Sequence, residues 1–408
     1  MEINLERLEK NIVDLGWIGY NGDENNKLPY GDKGITRLPF TEEYKKADDF
    51  VVKLMEDAGL EVKHDSIGNL FGTMPSSNEK KESILIGSHI DTVPQGGMLD
   101  GALGVLAAIE SLQTLKENNY DNNYNLTVAV FIGEEGREEL GGTFGSRCFT
   151  GDIELNKKEI DFLETVGKGP EDVKNAKTDK NKIKNYLEMH IEQGAVLENE
   201  EIPIGIVQGI VAIARYKAIV KGVANHAGTT PMNLRDDALL KASKLIIKLN
   251  EIVKNIGGNL VGTVGEIYVE PGAVNVIPGK AEFSIELRDM EKETIEKVMN
   301  KFRDIAENEN LIIEDLLYEG GVYLNKNVQN AIKKSAQKLG YDYKEMISGA
   351  GHDANPLSEI ASTGMIFVPS HNGISHSPEE WTNWEDIKKG TEVMLKTIKL
   401  LDNSNKGE

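Results

Sequence analysis

Ile84-Leu85-Ile86-Gly87-Ser88-His89-Ile90-Asp91-Thr92-Val93 is the stretch on which the fold turns. Its apolar run reads as a buried strand, and that strand ends at a histidine. Open α/β sheets bind ligands at the carboxyl ends of their strands, so an imidazole at His89 is placed to reach into a crevice. Asp91 follows two residues on, where its carboxylate can accept a hydrogen bond from the other ring nitrogen of His89 and fix the tautomer. Then come Gly96-Gly97-Met98-Leu99-Asp100-Gly101 and a run with Leu103, Leu106, Ile109 and Leu112 at near-helical spacing. Asp100 thus stands at the head of a helix, where an aspartate serves equally as an N-cap or as a ligand.

The same pattern recurs along the chain. Leu126-Thr127-Val128-Ala129-Val130-Phe131-Ile132 reads as a second buried strand and runs into Gly133-Glu134-Glu135-Gly136. Adjacent carboxylates repel unless a cation is near or one is protonated; as exposed loop acids they are simply solvated. Tyr186-Leu187-Glu188-Met189 precedes His190-Ile191-Glu192-Gln193-Gly194, and Met365-Ile366-Phe367-Val368 leads through Pro369-Ser370 to Gly373-Ile374-Ser375-His376-Ser377. Four strands therefore end in a histidine or in paired acids. If Asp100 bridges, each of two metal ions has three protein ligands and leaves room for a shared water. The other histidines contrast with these. His64 lies in polar surroundings and reads as surface, His371 supports a nearby loop, and His352 reads as a supporting residue, not a ligand.

A chain of 408 residues is long enough for two domains at ~100–200 residues each. Alternating apolar runs and amphipathic stretches indicate an α/β domain with a largely buried sheet. Between Gly209 and Gly320 the order changes to a strand (Ala212 to Val220), a helix (Asp236 to Val253), two strands (Leu260 to Val269, Ala281 to Leu287), a helix (Lys292 to Asn308) and a strand (Leu311 to Leu317). That β-α-β-β-α-β order predicts a ferredoxin-like insert, so the expected domains are 1–208, 209–320 and 321–408, the first and third forming one catalytic domain. The stretch from Lys157 to Lys184 reads as a solvated excursion with little core.

The net charge of −21 argues against nucleic acid and against an anionic membrane surface. The most apolar stretch, Ile202 to Val220, is broken by Arg215 and Lys217, short of the ~20 apolar residues a membrane helix needs. Cys148, the single cysteine, excludes an intrachain disulfide and reads as a packing residue. With no signal-peptide pattern at Met1 to Arg7, the cytoplasm is the expected compartment. No Gly-x-Ser-x-Gly elbow occurs, and Gly272 to Lys280 lacks phosphate-loop spacing.

His89-Ile90-Asp91, Asp100-Gly101, Glu134-Glu135-Gly136, His190-Ile191-Glu192-Gln193-Gly194 and Ile374-Ser375-His376-Ser377 together resemble the M20-type amidases of the hydantoinase/carbamoylase group. That group includes N-carbamoyl-L-amino acid hydrolases and allantoate amidohydrolases. The resemblance runs to Trp381, with the motifs in the family's order. It implies one ion held by His89, Asp100 and His190, a second by Asp100, Glu135 and His376, and Glu134 as general base, with Asp91 beside it in the catalytic set. It implies substrate contacts at Gln193, His226, Asn275, Arg288 and Gly351, and a homodimer formed through an inserted lid domain. The expected fold is accordingly a mixed-sheet di-metal hydrolase domain carrying a ferredoxin-like lid. Two stretches depart from the family's pattern: Arg137-Glu138-Glu139-Leu140 after Gly136, and Asn355-Pro356 after Ala354.

The implied reaction is hydrolysis of the ureido C–N bond of an N-carbamoyl-L-amino acid, a small-molecule substrate, to the amino acid, ammonia and carbon dioxide. Allantoate hydrolysis is the nearest alternative; acyl-amino acid deacylation and dipeptide cleavage are more distant. A protein using metals only to hold its fold would have a closed site without a spare carboxylate such as Glu134. Imidazole and carboxylate ligands suit Zn²⁺, the expected metal, and also Mn²⁺, Co²⁺ or Ni²⁺.

Overall fold

The structure, a computed structural model, describes residues 1–404 apart from 24, 25, 27, 32, 77–81 and 307–309. Two compact units divide the chain: Met1–Gln208 with Tyr323–Glu408, and Gly209–Val322. Each has its own apolar core among the described residues.

The first unit is built on a mixed sheet whose middle consists of four neighbouring parallel strands, in the order Asn125–Phe131, Ser83–His89, Ile183–Ile191 and Ser362–Val368. On one side Leu70–Met74 and Glu61–His64 continue it antiparallel; on the other, Ile204–Ile210 does. The four parallel strands are almost wholly buried, which is why they read as unbroken apolar runs. The helix Ala102–Glu117 packs on this sheet and is apolar nearly all round because the helices Leu5–Gly16 and Trp384–Asp402 cover it in turn. Arg7 ties the outer helix down through a 2.6 Å ion pair to buried Glu110.

All four parallel strands deliver their carboxyl ends to one edge. His89 closes the first, His190 is the penultimate residue of Ile183–Ile191, and the loops after Phe131 and Val368 carry Glu134-Glu135 and His376. His190 thus lies inside its strand, paired in register with Phe367, where the sequence had put it just beyond.

Residues Lys157 to Lys184 differ from expectation. They form the helices Lys157–Thr165 and Pro170–Ala176, and Leu163, Val173 and Ala176 join the main core. The polar composition hides this because only one face of each short helix is apolar. Asn156 and Glu159 close a capping box that starts the first of them.

The second unit has a five-stranded antiparallel sheet with the helices Ala238–Ile256 and Lys292–Ala306. Ala212–Lys221 lies between Lys280–Asp289 and Leu311–Glu319, which gives the fourth-first-third-second order of a ferredoxin-like sheet. The second strand, read from the sequence as Leu260 to Val269, is two pieces, Val261–Thr263 and Ile267–Glu270, both paired with Lys280–Asp289. Thr263 faces Glu286 and Ile267 faces Phe283, so one extra residue is accommodated between them as a bulge. The Ser284 hydroxyl accepts the Gly265 and Glu266 N–H groups across the break. Of the expected helix Lys292 to Asn308, Lys292–Ala306 is helical and Asn308 lies outside the described residues.

Candidate metal centre

His89, Asp100 and His190 bring ligand atoms within 4.8 Å of one another, and so do Asp100, Glu135 and His376. Asp100 is common to both groups. Its Oδ1 lies 3.4 Å from His89 Nε2 and 3.1 Å from His190 Nε2, while its Oδ2 lies 3.4 Å from His376 Nε2. Glu135 Oε1 is 3.1 Å from His376 Nε2, and Glu134 Oε2 is 3.7 Å from His89 Nε2. Asp100 is not a helix cap: Gly101 takes that place and no side chain caps the helix. Gly101 has φ +63°, and a Cβ there would lie 2.3 Å from His89 Nε2, so only glycine lets the helix start this close to the imidazole.

Main-chain carbonyls orient both buried imidazoles. His89 Nδ1 lies 3.1 Å from the Asp91 carbonyl and His190 Nδ1 lies 2.9 Å from the Ile191 carbonyl, which leaves Nε2 of each facing Asp100. The Asp91 carboxylate, expected on His89, stands 3.9 Å from its ring nitrogen and is used elsewhere. It accepts the N–H groups of Gly133 (2.9 Å), Glu134 (3.4 Å) and Glu135 (3.1 Å). The strand ends are close enough for the carboxylate to span them, so it fixes the loop carrying both glutamates.

Two buried polar atoms fit a cation. His89 Nε2 and Glu135 Oε1 make no directional hydrogen bond, the second despite its nearness to His376. A buried group left so costs about 1–3 kcal/mol unless something engages it. The field points the same way. Burial alone would lower the His89 value, yet Glu134, Asp100 and Asp91 raise it well above the ordinary range. Neighbouring Asp100 and then Glu135 push His376 up to about 10. Burial would raise Asp100, but His190, His376 and His89 hold it well below the carboxylate range. Burial pushes Glu134 up, with His89 opposing and Glu135, Asp353 and Asp100 adding. A cluster that draws protons onto its imidazoles is one in which a divalent cation competes well.

Of the expected substrate contacts, two lie in the first unit. Gln193, at φ +58°, places Nε2 2.7 Å from Asp100 Oδ2, and its Oε1 is buried without a partner. Gly351 is exposed in the loop before His352. The other three lie in the second unit. His226 pairs with Val276 in a two-stranded ladder, and its Nδ1 accepts the Gly228 and Thr229 N–H groups at 3.0 and 3.2 Å. That leaves Nε2 as its donor. The Asn275 carbonyl accepts the Ala227 N–H (3.0 Å), tying its loop to the same turn. Arg288 stands on the sheet face away from the core, its guanidinium 2.8 Å from Glu286, which also pairs with Arg215.

His64 is an exposed partner of Asp48, His371 holds Glu198, and His352 is buried with its ring centroid 4.7 Å from that of His190. Cys148 is buried in the helix Phe144–Thr150, and burial pushes its thiol up to about 12. Sequence reasoning missed Glu188, Asp353 and Glu380, all fully buried carboxylates. Glu188 accepts from the hydroxyl of Ser88 and the Ala354 N–H; Asp353 accepts from Ser146. Glu379-Glu380 is an adjacent acid pair just past His376, the same signal that singles out Glu134-Glu135.

The sequence profile of peptidase family M20/M25/M40 matches residues 85–400. An N-carbamoyl-L-amino-acid amidohydrolase of Pseudomonas sp. (strain NS671) is 39% identical over 97% of this chain and 98% of its own. An allantoate amidohydrolase of Escherichia coli (strain K12) is 35% identical over 90% and 92%. The crystal structure of a hydantoinase/carbamoylase family amidase from Burkholderia multivorans superposes with a TM-score of 0.87 at 29% identity, covering 97% of both chains. Among the described residues no helix is long and apolar enough to cross a membrane.

Proposed function

The chain belongs to peptidase family M20/M25/M40, and from that premise we propose that it is a binuclear amidohydrolase that cleaves the ureido C–N bond of N-carbamoyl-L-amino acids. The observation that carries this reading is the pair of ligand groups sharing Asp100, with a further carboxyl, Glu134, alongside, its side chain only 10% exposed.

In this reading His89, Asp100 and His190 hold one divalent ion and Asp100, Glu135 and His376 the other. Zn²⁺ is the proposed metal, with Mn²⁺, Co²⁺ or Ni²⁺ able to use the same ligands. Divalent ions held there would supply a water of lowered pKa and a Lewis acid for the substrate carbonyl. Glu134 takes a proton from the attacking water and passes it to the leaving α-nitrogen as the C–N bond breaks. The carbamate released falls to ammonia and carbon dioxide. Asp91 keeps Glu134 and Glu135 in register through their peptide N–H groups. His226, with Nδ1 already engaged as an acceptor, offers Nε2–H to the developing oxyanion together with Asn275. Gln193 and Gly351 complete the substrate contacts, and Arg288 receives the α-carboxylate, turning from Glu286 toward the ligand.

A homodimer through the second unit, acting as a lid, is part of the proposal. Leu240 and Ile247 on one helix and Val261, Ile267 and Tyr268 on the sheet edge are all exposed, an apolar surface of the kind a second copy covers. A cytoplasmic setting is proposed as well, supported by a chain whose one cysteine permits no internal disulfide.

Allantoate hydrolysis is the second reading, favoured by the similarity to the Escherichia coli protein. Parallel assays on N-carbamoyl-L-amino acids and allantoate, with metal restored after chelation, separate the two. Faster turnover of carbamoyl amino acids is expected. Turnover of allantoate alone would select the second reading, and no hydrolysis of either with both ions bound would overturn both.

A further inference from the structure

Glu380 lies four residues beyond His376 and 280 beyond Asp100, yet it touches the loops of both. It is fully buried. Its Oε1 accepts the N–H groups of Leu99 and Asp100, each at 3.0 Å. Its Oε2 accepts the His376 N–H at 3.3 Å and lies 3.0 Å from the Ser375 hydroxyl, which is also 3.0 Å from Asp100 Oδ2. One oxygen thus serves each loop.

Neither loop has regular structure to hold it there. Asp100 precedes a helix whose cap is a left-handed glycine, and His376 itself has φ +55°, a conformation that non-glycine residues keep only when their surroundings impose it. The chain also clears a path for the carboxylate: a Cβ at Gly97 would lie 2.2 Å from Glu380 Oε1.

We propose that Glu380 is a positioning residue for the second cation, clamping the loops of Asp100 and His376 at the separation that lets both ligate it. This rests on the metal reading above. Glutamine at 380 keeps the shape and an oxygen for the Leu99 and Asp100 N–H groups. Its NH₂ then faces the His376 N–H, donor against donor, whereas Ser375 can turn to accept. The damage therefore falls on His376 and spares the His89–Asp100–His190 group.

The test is metal stoichiometry and affinity by chelator competition on purified wild type, Glu380→Gln and His376→Ala, with the unfolding midpoint of each metal-free protein. Wild type is expected to hold two ions. Both variants should keep one ion tightly; Glu380→Gln should bind the other roughly 10–100-fold more weakly and His376→Ala more weakly still, with the metal-free midpoint of Glu380→Gln near wild type. Two ions at unchanged affinity in Glu380→Gln would overturn the proposal. So would equal loss of both ions with a lowered midpoint, which marks a merely structural role. Fewer than two ions in wild type, or two tight ions in His376→Ala, would instead sink the ligand assignment itself. Should Glu380→Gln not fold, Glu380→Asp keeps the charge but is one methylene too short to reach both loops, and two ions at unchanged affinity in that variant would overturn the proposal.

Discussion

At the scale of single residues, Glu134 and Glu135 are neighbours given opposite tasks, and substitution separates them. Glu134→Gln is expected to keep both ions and lower kcat by about 10²–10⁴-fold, the range for a general acid–base group. Elemental analysis beside the kinetics checks it, and near-normal turnover would remove Glu134 from the mechanism. Glu135→Gln should instead reduce metal content. Arg288→Ala should lower kcat/KM for substrates bearing an α-carboxylate by about tenfold to a hundredfold, as losing a charge-assisted hydrogen bond of ~1.5–3 kcal/mol does; equal kinetics on a carboxamide analogue and on the acid would show that Arg288 never met the charge. The candidate ligands His89, Glu135, His190 and His376 stand out because each lies at or just past the carboxyl end of a buried strand, whereas Asp100, at the head of a helix, is marked by no strand. The partners of Asp91 were not legible. Two residues of spacing suggested His89, but a carboxylate goes where donors converge, and three peptide N–H groups outbid one ring nitrogen.

At the scale of elements, the helix Ala102–Glu117 is the packing centre of the first unit, and truncation there should be costly. Ile109→Ala, at a 1% exposed position, is expected to destabilise the fold by about 2–5 kcal/mol in denaturant unfolding. The helix Glu42–Asp57 and the edge strand Glu61–His64 are joined by His64 and Asp48 at 2.8 Å. The hydrogen bond to Asp48 raises the His64 value in the folded protein above its ordinary 6.5. Its stabilisation is therefore complete below that value and is lost as pH rises through the higher folded one. Thermal unfolding of His64→Gln should fall slightly below wild type at about pH 6, and the gap should close as pH rises through the folded value; the effect is small because the pair is exposed. Buried strands and long amphipathic helices were legible because their periodicity spans many residues. The bulge between Thr263 and Ile267 was not, since one extra residue leaves an apolar run unbroken. Nor were the short helices after Asn156, whose few core residues are outnumbered by charge.

At the scale of the whole molecule, two separate cores predict two unfolding transitions in calorimetry. Both ligand groups lie in the first unit. Chelation should therefore lower that unit's transition alone, by about 2.7 kcal/mol for each ion whose free concentration had stood at a hundred times its Kd. Phe283→Ala, in the other core, should move only the other transition. The division itself was legible from the change in element order near Gly209, while its far edge falls at Val322, set by sheet pairing that composition does not mark. The order of strands also has a bearing on synthesis. Ile183–Ile191 leaves the ribosome with Ser83–His89 already available on one side, but its other neighbour, Ser362–Val368, is translated about 180 residues later. At ~5–20 residues per second that is roughly ten to thirty-five seconds during which a nascent chain carries an apolar strand with a bare edge. Until Ser362–Val368 is made, that edge is the kind of surface that aggregates or engages holding chaperones.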